Sequence, residues 1–162
     1  MSHPVAEERP TAHGDALNGL RAAIAEAPHP EGAAQRVVDL LHDRFAHYDW
    51  VGIYWVDDSD LVLGPWMGAQ ATEHTRIPIG TGVCGAAAAS GTTEIVPDVS
   101  ADPRYLACFA STRSEIVVPI FDGGEVIGEI DVDGSDLDAF DETDARFLEE
   151  VAALIAPLRP RA

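Results

Sequence analysis

Two runs of strand-forming residues, Glu115-Ile-Val-Val-Pro-Ile-Phe121 and Glu125-Val-Ile-Gly-Glu-Ile-Asp-Val-Asp133, face each other across Asp122-Gly-Gly124. A glycine pair accepts the positive φ angles that a tight turn needs, so the two runs are expected to be antiparallel neighbours. Alternation along the second run puts Glu125, Ile127, Glu129, Asp131 and Asp133 on one face and Val126, Gly128, Ile130 and Val132 on the other. The apolar face must cover a core, which leaves a row of acids on the reverse. Asp131 and Asp133 then stand about 6.5 to 7 Å apart by strand rise, and at an effective dielectric of about 20 they repel by roughly 2.4 kcal/mol. A bound cation relieves that repulsion, and so does an edge strand whose acids face water; spacing leaves both readings open.

Around this hairpin the hydrophobic period switches between helix and strand. Residues 1–14 are polar, contain prolines and lack a period, so they are expected to form a flexible tail ahead of one domain over 15–162. Leu17, Leu20 and Ile24 mark one helix, which stops at Pro28-His29-Pro30; Ala34, Val38, Leu41 and Phe45 mark a second. From Trp50 to Val56 the period is two, Asp57 to Asp60 is a turn, and Leu61 to Leu63 returns as a second strand. Thr75 to Ile79 is a short strand that its proline restricts to an edge or an end. The loop Gly80 to Gly85 enters a helical stretch at Ala86 to Ala89, and Thr93 to Val96 is a fourth strand. Pro97 to Arg113 is long enough to be a binding loop. After the hairpin, Asp141 caps a last helix that packs Phe147, Leu148, Val151, Leu154 and Ile155 on one side. The order predicts an α+β fold: an antiparallel sheet with helices packed on one face and a loop-roofed pocket on the other.

Charge narrows the function. Ten arginines, no lysine and 28 acidic residues give a net charge of −18, which repels phosphate backbones and anionic lipid. Nucleic acid and membrane partners are therefore not expected. No run approaches the roughly 18 apolar residues of a membrane span, and the first residues lack the basic start and apolar stretch of a signal peptide, so a cytoplasmic protein is expected. A reducing cytoplasm makes Cys84 and Cys108 free thiols or a transient pair rather than a permanent disulfide.

Several side chains could carry chemistry. Cys84 lies between Gly82 and Gly85 at a helix N-terminus, a position expected to lower a thiol pKa; the alternative is a small buried hydrophobe. Cys108 sits in the long loop beside Tyr105, Leu106 and Phe109, where a core role is hard to assign. Glu115 heads an apolar strand and is either its last solvated residue or a pocket wall. Trp50 and Tyr54 share a strand face with Gly52, an aromatic wall across a gap of the kind that holds small cations. His74 precedes Cys84 by ten residues, but no close ligand pair accompanies them, so no metal and no cofactor is expected. Gly80-x-Gly-x-x-Gly85 matches a dinucleotide fingerprint in form, without the parallel strand pattern that gives it meaning.

Together these segments resemble a known family. From Gln35 to Leu158 the sequence is similar to a stand-alone GAF domain, and within that group to the free methionine-(R)-sulfoxide reductases. The resemblance rests on Trp50-Val-Gly-Ile-Tyr54, Leu63-Gly-Pro-Trp66, Arg76-Ile-Pro, Gly82-Val-Cys-Gly85, Ala107-Cys108, Ser114-Glu-Ile-Val-Val-Pro119 and Ile127-Gly-Glu-Ile-Asp-Val-Asp133. It implies a six-stranded antiparallel sheet and a closed pocket for one free methionine sulfoxide. It further implies that Cys108 attacks the sulfoxide sulfur, that Glu115, Asp131 and Asp133 bind the ammonium and help protonate the oxygen, and that Trp50 and Tyr54 hold the methyl–sulfur end. Cys84 would close a disulfide, to be reopened by a thioredoxin-like reductant, and a homodimer is compatible with the resemblance. Many members carry a third cysteine where this chain has His74, which leaves Cys84 or an external thiol to resolve the sulfenic acid. In some members the roles of the two cysteines here are exchanged. The rival implication is a binding module that senses a small ligand or redox state without catalysis.

Overall fold

The computed structural model describes residues 9–107 and 109–160. In chain order these form α1 (Arg9–Glu26), α2 (Pro30–Arg44), β1 (Trp50–Asp57), β2 (Asp60–Gly68), β3 (Arg76–Pro78), α3 (Gly82–Ser90), β4 (Glu94–Val96), β5 (Ser114–Asp122), β6 (Glu125–Gly134) and α4 (Glu142–Ile155). The strands make one antiparallel sheet in the order β3-β2-β1-β6-β5-β4. Each hairpin, β1–β2 and β5–β6, leaves one inner edge, and the two edges pair so that β1 and β6 become the centre. β3 and β4 lie at opposite edges, so α3, which joins them, must cross a whole face of the sheet.

The two faces are covered differently. α1, α2 and α4 bury Leu20, Val38, Leu41, Leu148 and Val151 against Val51, Ile53, Val118, Ile130 and Val132 of the sheet. On the other face a smaller cluster gathers Trp50, Tyr54, Val83, Cys84 and Val117 under α3, with Tyr105, Leu106 and Phe109 of the long loop packed against it. Three helices thus occupy the expected face, and the fourth helps the loop roof the pocket.

Four sequence expectations need correction. Residues 9–14, assigned to the flexible tail, belong to α1; a proline in the first helical turn needs no N–H partner, and His13 is buried in the core. The rest of that tail, residues 1–8, lies outside the described residues. β2 continues past Leu63 to Gly68, because a register shift opposite Ile53 takes Gly64 and Pro65 out of the ladder. The helix expected over Ala86 to Ala89 starts at Gly82, so Cys84 is helical. Along β6 a second shift, between the Phe121–Val126 and Ile120–Gly128 pairs, turns Ile127 into the helix-side core and away from the acids.

One polar cluster joins the helical layer. Asp141 caps α4 by accepting from Thr143 N at 2.9 Å and Asp144 N at 3.3 Å, and Asp144 Oδ2 accepts from Asp141 N at 3.1 Å, a closed capping box. Asp144 Oδ1 also accepts from the Tyr48 hydroxyl at 2.9 Å and faces Nε2 of His47 at 3.4 Å and of His13 at 3.6 Å. Burial pushes the Asp144 carboxyl up, but His13, His47 and the Asp141 N–H outweigh it and hold the group well below the usual carboxylate range. A depressed folded pKa adds stability above the unfolded value of about 3.9 that fades as pH falls below it. Asp144→Asn is therefore expected to lower the urea unfolding free energy by about 2 to 4 kcal/mol at pH 7. Its deficit against wild type should shrink below about pH 4, and a deficit independent of pH would rule out this assignment.

Candidate active site

Three strands build one face row by row. Pairing sets Trp50, Asp133 and Glu115 side by side, then Gly52, Asp131 and Val117, then Tyr54, Glu129 and Pro119. Because β6 is flanked by β1 and β5, its acids are not edge residues facing water. Glu115, Glu129, Asp131 and Asp133 are each no more than 3% exposed, so Glu115 is a pocket wall. Glu129 and Asp133 have no hydrogen-bond partner at either carboxylate oxygen among the described residues, and Asp131 has none at Oδ1.

The aromatic wall closes on itself. A Cβ at residue 52 would collide with the six-membered ring of Trp50, so glycine there lets the indole lie flat along its own strand. Trp50 Nε1 donates to Gln70 O at 3.2 Å, and its ring stacks on Trp66 with centroids 6.2 Å apart and meets Phe109 at 5.8 Å. The gap between Trp50 and Tyr54 is thus filled by Trp50 itself. Tyr54 is fully buried and donates its hydroxyl to the His74 carbonyl at 2.8 Å. His74 in turn sets Nε2 3.2 Å from the Ala107 carbonyl oxygen, tying its loop to the residue before Cys108. Cys108, the expected nucleophile, lies outside the described residues.

α3 brings Cys84 over these acids. The glycines of the matched fingerprint serve the turn rather than a phosphate: Gly80 N donates to Gly85 O at 2.9 Å, and a Cβ on Gly85 would sit 2.7 Å from Pro78 O. Cys84 occupies the first turn of α3, yet its thiol is not acidified as its position suggested. Burial, followed by the charges of Asp131, Glu129, Glu115 and Asp133, pushes it well above the ordinary thiol value. Burial, with four acids on the facing sheet, outweighs the partial positive charge of a helix end.

The acids respond to one another as well. Burial pushes Asp133 up to about 6, with the Glu115 and Asp131 carboxyls nearby holding it lower than burial alone would. Asp131 is driven well up by burial and then by the charges of Asp133 and Glu129. Burial likewise raises Glu129, with the Cys84 thiol as its offsetting polar neighbour. Ligand atoms of Cys84, Glu115 and Asp131 lie within 4.8 Å of one another, close enough to surround a single cation, whereas His74 is not part of the group.

Among the described residues, cavities open onto this face at two places. One of about 10 Å³ lies among Tyr54, Cys84, Leu106, Glu115 and Asp131, room for roughly one water. The other, about 440 Å³, is lined by Trp50, Gln70, Phe109, Asp133 and Ser135 and approaches the acids from the Asp133 end. The structure thus unites Cys84, Glu115, Asp131, Asp133, Trp50 and Tyr54, and it adds Glu129. Alternation already put Glu129 on the acid face, but no sequence signal told how far α3 would reach over it.

Residues 29–157 match the GAF domain family. The free methionine-R-sulfoxide reductase of Escherichia coli is 37% identical over 114 residues, 70% of this chain and 68% of that protein. The crystal structure of the free methionine-R-sulfoxide reductase from Neisseria meningitidis in complex with its substrate superposes with a TM-score of 0.86 at 37% identity, covering 98% of this chain and 93% of that one. A putative GAF sensor protein from Burkholderia vietnamiensis superposes with a TM-score of 0.84 at 32% identity, covering 91% and 93%. The buried thiol-and-acid face is therefore carried by a chain that belongs to the GAF domain family and is homologous to the free methionine-R-sulfoxide reductases.

Proposed function

We propose that this protein reduces free L-methionine-(R)-sulfoxide to methionine, with Cys108 as nucleophile. The observation that carries the reading is the row Trp50–Asp133–Glu115 with Asp131 behind it, a buried acidic face on which both Asp133 oxygens and Asp131 Oδ1 lack a hydrogen-bond partner among the described residues, in a chain similar along nearly its whole length to a reductase bound to its substrate. The substrate ammonium binds at Asp131, Asp133 and Glu115. The ligand enters from the larger cavity at the Asp133 end, and Trp50 and Tyr54 flank its methyl–sulfur end. Burial raises the proton affinity of Asp131 and Asp133, which suits them to hydrogen-bond and protonate the sulfoxide oxygen.

The chemistry balances in two steps. The Cys108 sulfur takes the oxygen as the sulfoxide S–O bond breaks, so Cys108–SH and the sulfoxide become Cys108–SOH and methionine. The Cys84 thiol then attacks the sulfenic sulfur, a disulfide forms and water leaves; a thioredoxin-like dithiol reopens the disulfide in the cytoplasm. A small-ligand sensor without turnover is the second reading, favoured by the similarity to the Burkholderia putative sensor and by the tightly closed pocket. It predicts binding with no methionine release.

In a single turnover, Cys108→Ser is expected to release no methionine, while wild type yields a Cys84–Cys108 disulfide by non-reducing peptide mapping. Full release by Cys108→Ser would transfer the attack to Cys84. Asp133→Asn or Glu115→Gln should lower kcat/KM by about 2 to 4 kcal/mol in transition-state terms without unfolding the protein. N-acetylmethionine sulfoxide should be a poor substrate, and equal use of both compounds would remove the ammonium site.

Binding should also depend on pH. With Asp133 raised to about 6, the folded ligand-free protein holds an extra proton between the unfolded value and that pH, so its stability falls as pH rises through the window. An ammonium ligand offsets the loss where Asp133 is ionised. Free methionine sulfoxide should therefore raise the Tm of Cys108→Ser more at pH 8 than at pH 5, and an equal rise at both would contradict the assignment.

A further inference from the structure

Glu129 is a fully buried acid that the proposed substrate contacts do not use. Its row, Tyr54–Glu129–Pro119, offers it no cation: Tyr54 gives its hydroxyl proton to the His74 carbonyl and proline has no donor. Both carboxylate oxygens lack a hydrogen-bond partner among the described residues. An unpaired buried carboxyl is destabilising, and a valine in its place would pack this apolar floor without that penalty. Its polar neighbour is the Cys84 thiol, which α3 lays over the same face, although no complete hydrogen bond joins them at rest. That thiol needs help. It is buried, held protonated by its surroundings, and it is the internal thiol available to resolve a sulfenic acid at Cys108, since the chain has two cysteines.

We propose that Glu129 is the proton acceptor for Cys84 in the disulfide-forming step. The inference rests on the reductase reading above and deepens it. In its ionised form Glu129 takes the S–H proton as the Cys84 sulfur bonds to the Cys108 sulfur; the S–O bond breaks, and that proton passes to the departing oxygen, giving water. Cys84 is oxidised and the sulfenic sulfur is reduced, so electrons balance without a further reactant. A buried carboxyl suits this role because its raised affinity for protons brings it closer to that of a thiol, which makes the transfer less uphill. The other titratable groups facing Glu129 are Asp131 and Asp133 on β6, Glu115 on β5 and Tyr54 on β1. Asp133 lines the larger cavity, and Asp131 and Glu115 line the small one beside Cys84, but the proposed ammonium contacts engage these three acids and leave Glu129 for the proton.

The test separates the two steps. In a quenched single turnover with free methionine-(R)-sulfoxide, Glu129→Gln should release methionine at the wild-type rate but form the disulfide at least tenfold more slowly at pH 7. The rise of disulfide formation with pH should move upward, toward the ionisation of the thiol itself. Unchanged disulfide kinetics and pH dependence overturn the inference while leaving the reductase intact; absence of methionine release from wild type overturns the reductase reading itself. A spectroscopic arm needs no turnover and decides in either case. In Cys108→Ser, where Cys84 is the remaining thiol, the infrared S–H stretch should shift to lower frequency as pH rises and its acceptor ionises. Adding Glu129→Gln should abolish that shift, and adding Glu129→Val should do the same if the glutamine variant folds poorly. A shift that survives both substitutions assigns the proton to Asp131 and refutes the role of Glu129.

Discussion

The alternation of side chains along β6 is the constraint on which the rest depends. Ile130 and Val132 anchor the strand in the helical core, and that packing forces Glu129, Asp131 and Asp133 onto the reverse face despite the desolvation they suffer there. Pairing with β1 on one side and β5 on the other removes any chance of turning the acids to water. The apolar core thus does more than stabilise the fold: a one-residue slip would drive the acids into the helical core and turn the isoleucine and valine side chains toward the pocket, so the electrostatic strain is held in place by hydrophobic burial.

Two kinds of buried acid in one protein show what that strain means. Asp144 is as inaccessible as Asp131, yet it receives Tyr48, His47, His13 and a backbone N–H, and its proton affinity falls. The acids of β6 face a thiol, aromatic rings and one another, and their proton affinity rises. The first arrangement completes its hydrogen bonds within the fold and serves to bind α1, α4 and the segment after α2 together. The second is incomplete in the folded chain and becomes favourable only with a cationic ligand or a proton to pass on, which is how a binding or catalytic site differs physically from a structural polar cluster.

Much of this was legible in the chain. The Asp122-Gly-Gly124 hairpin, the helix-to-strand change of period at Trp50 and the Asp141 cap each follow from local rules, and each stands in the structure. What failed were matters of context. Polarity, prolines and the lack of a period over residues 1–14 argue for a tail, but His13 stacked at 4.3 Å on Phe147 extends the helix through a contact 134 positions away in sequence. The bulges at Gly64-Pro65 and Ile127 have no strong local signature, and one extra residue is enough to redirect Ile127. The thiol of Cys84 departs from expectation for the same reason: the helix end is visible in the sequence, whereas its burial and the four acids across from it arise only when α3 and the sheet are assembled.

That departure bears on how the site is arranged. A thiol activated by a helix N-terminus would be ionised at rest and open to adventitious oxidation, since the thiolate is the reactive form. Here burial under α3, and then the acids of the sheet, raise the proton affinity of Cys84 and keep the thiolate scarce at rest. His74 ties its loop to Ala107 by a hydrogen bond and so anchors the segment that leads to Cys108. The protonation of the strand beneath Cys84 thus bears on the state of its thiol, which makes β6 a determinant of that state as well as of the pocket's shape.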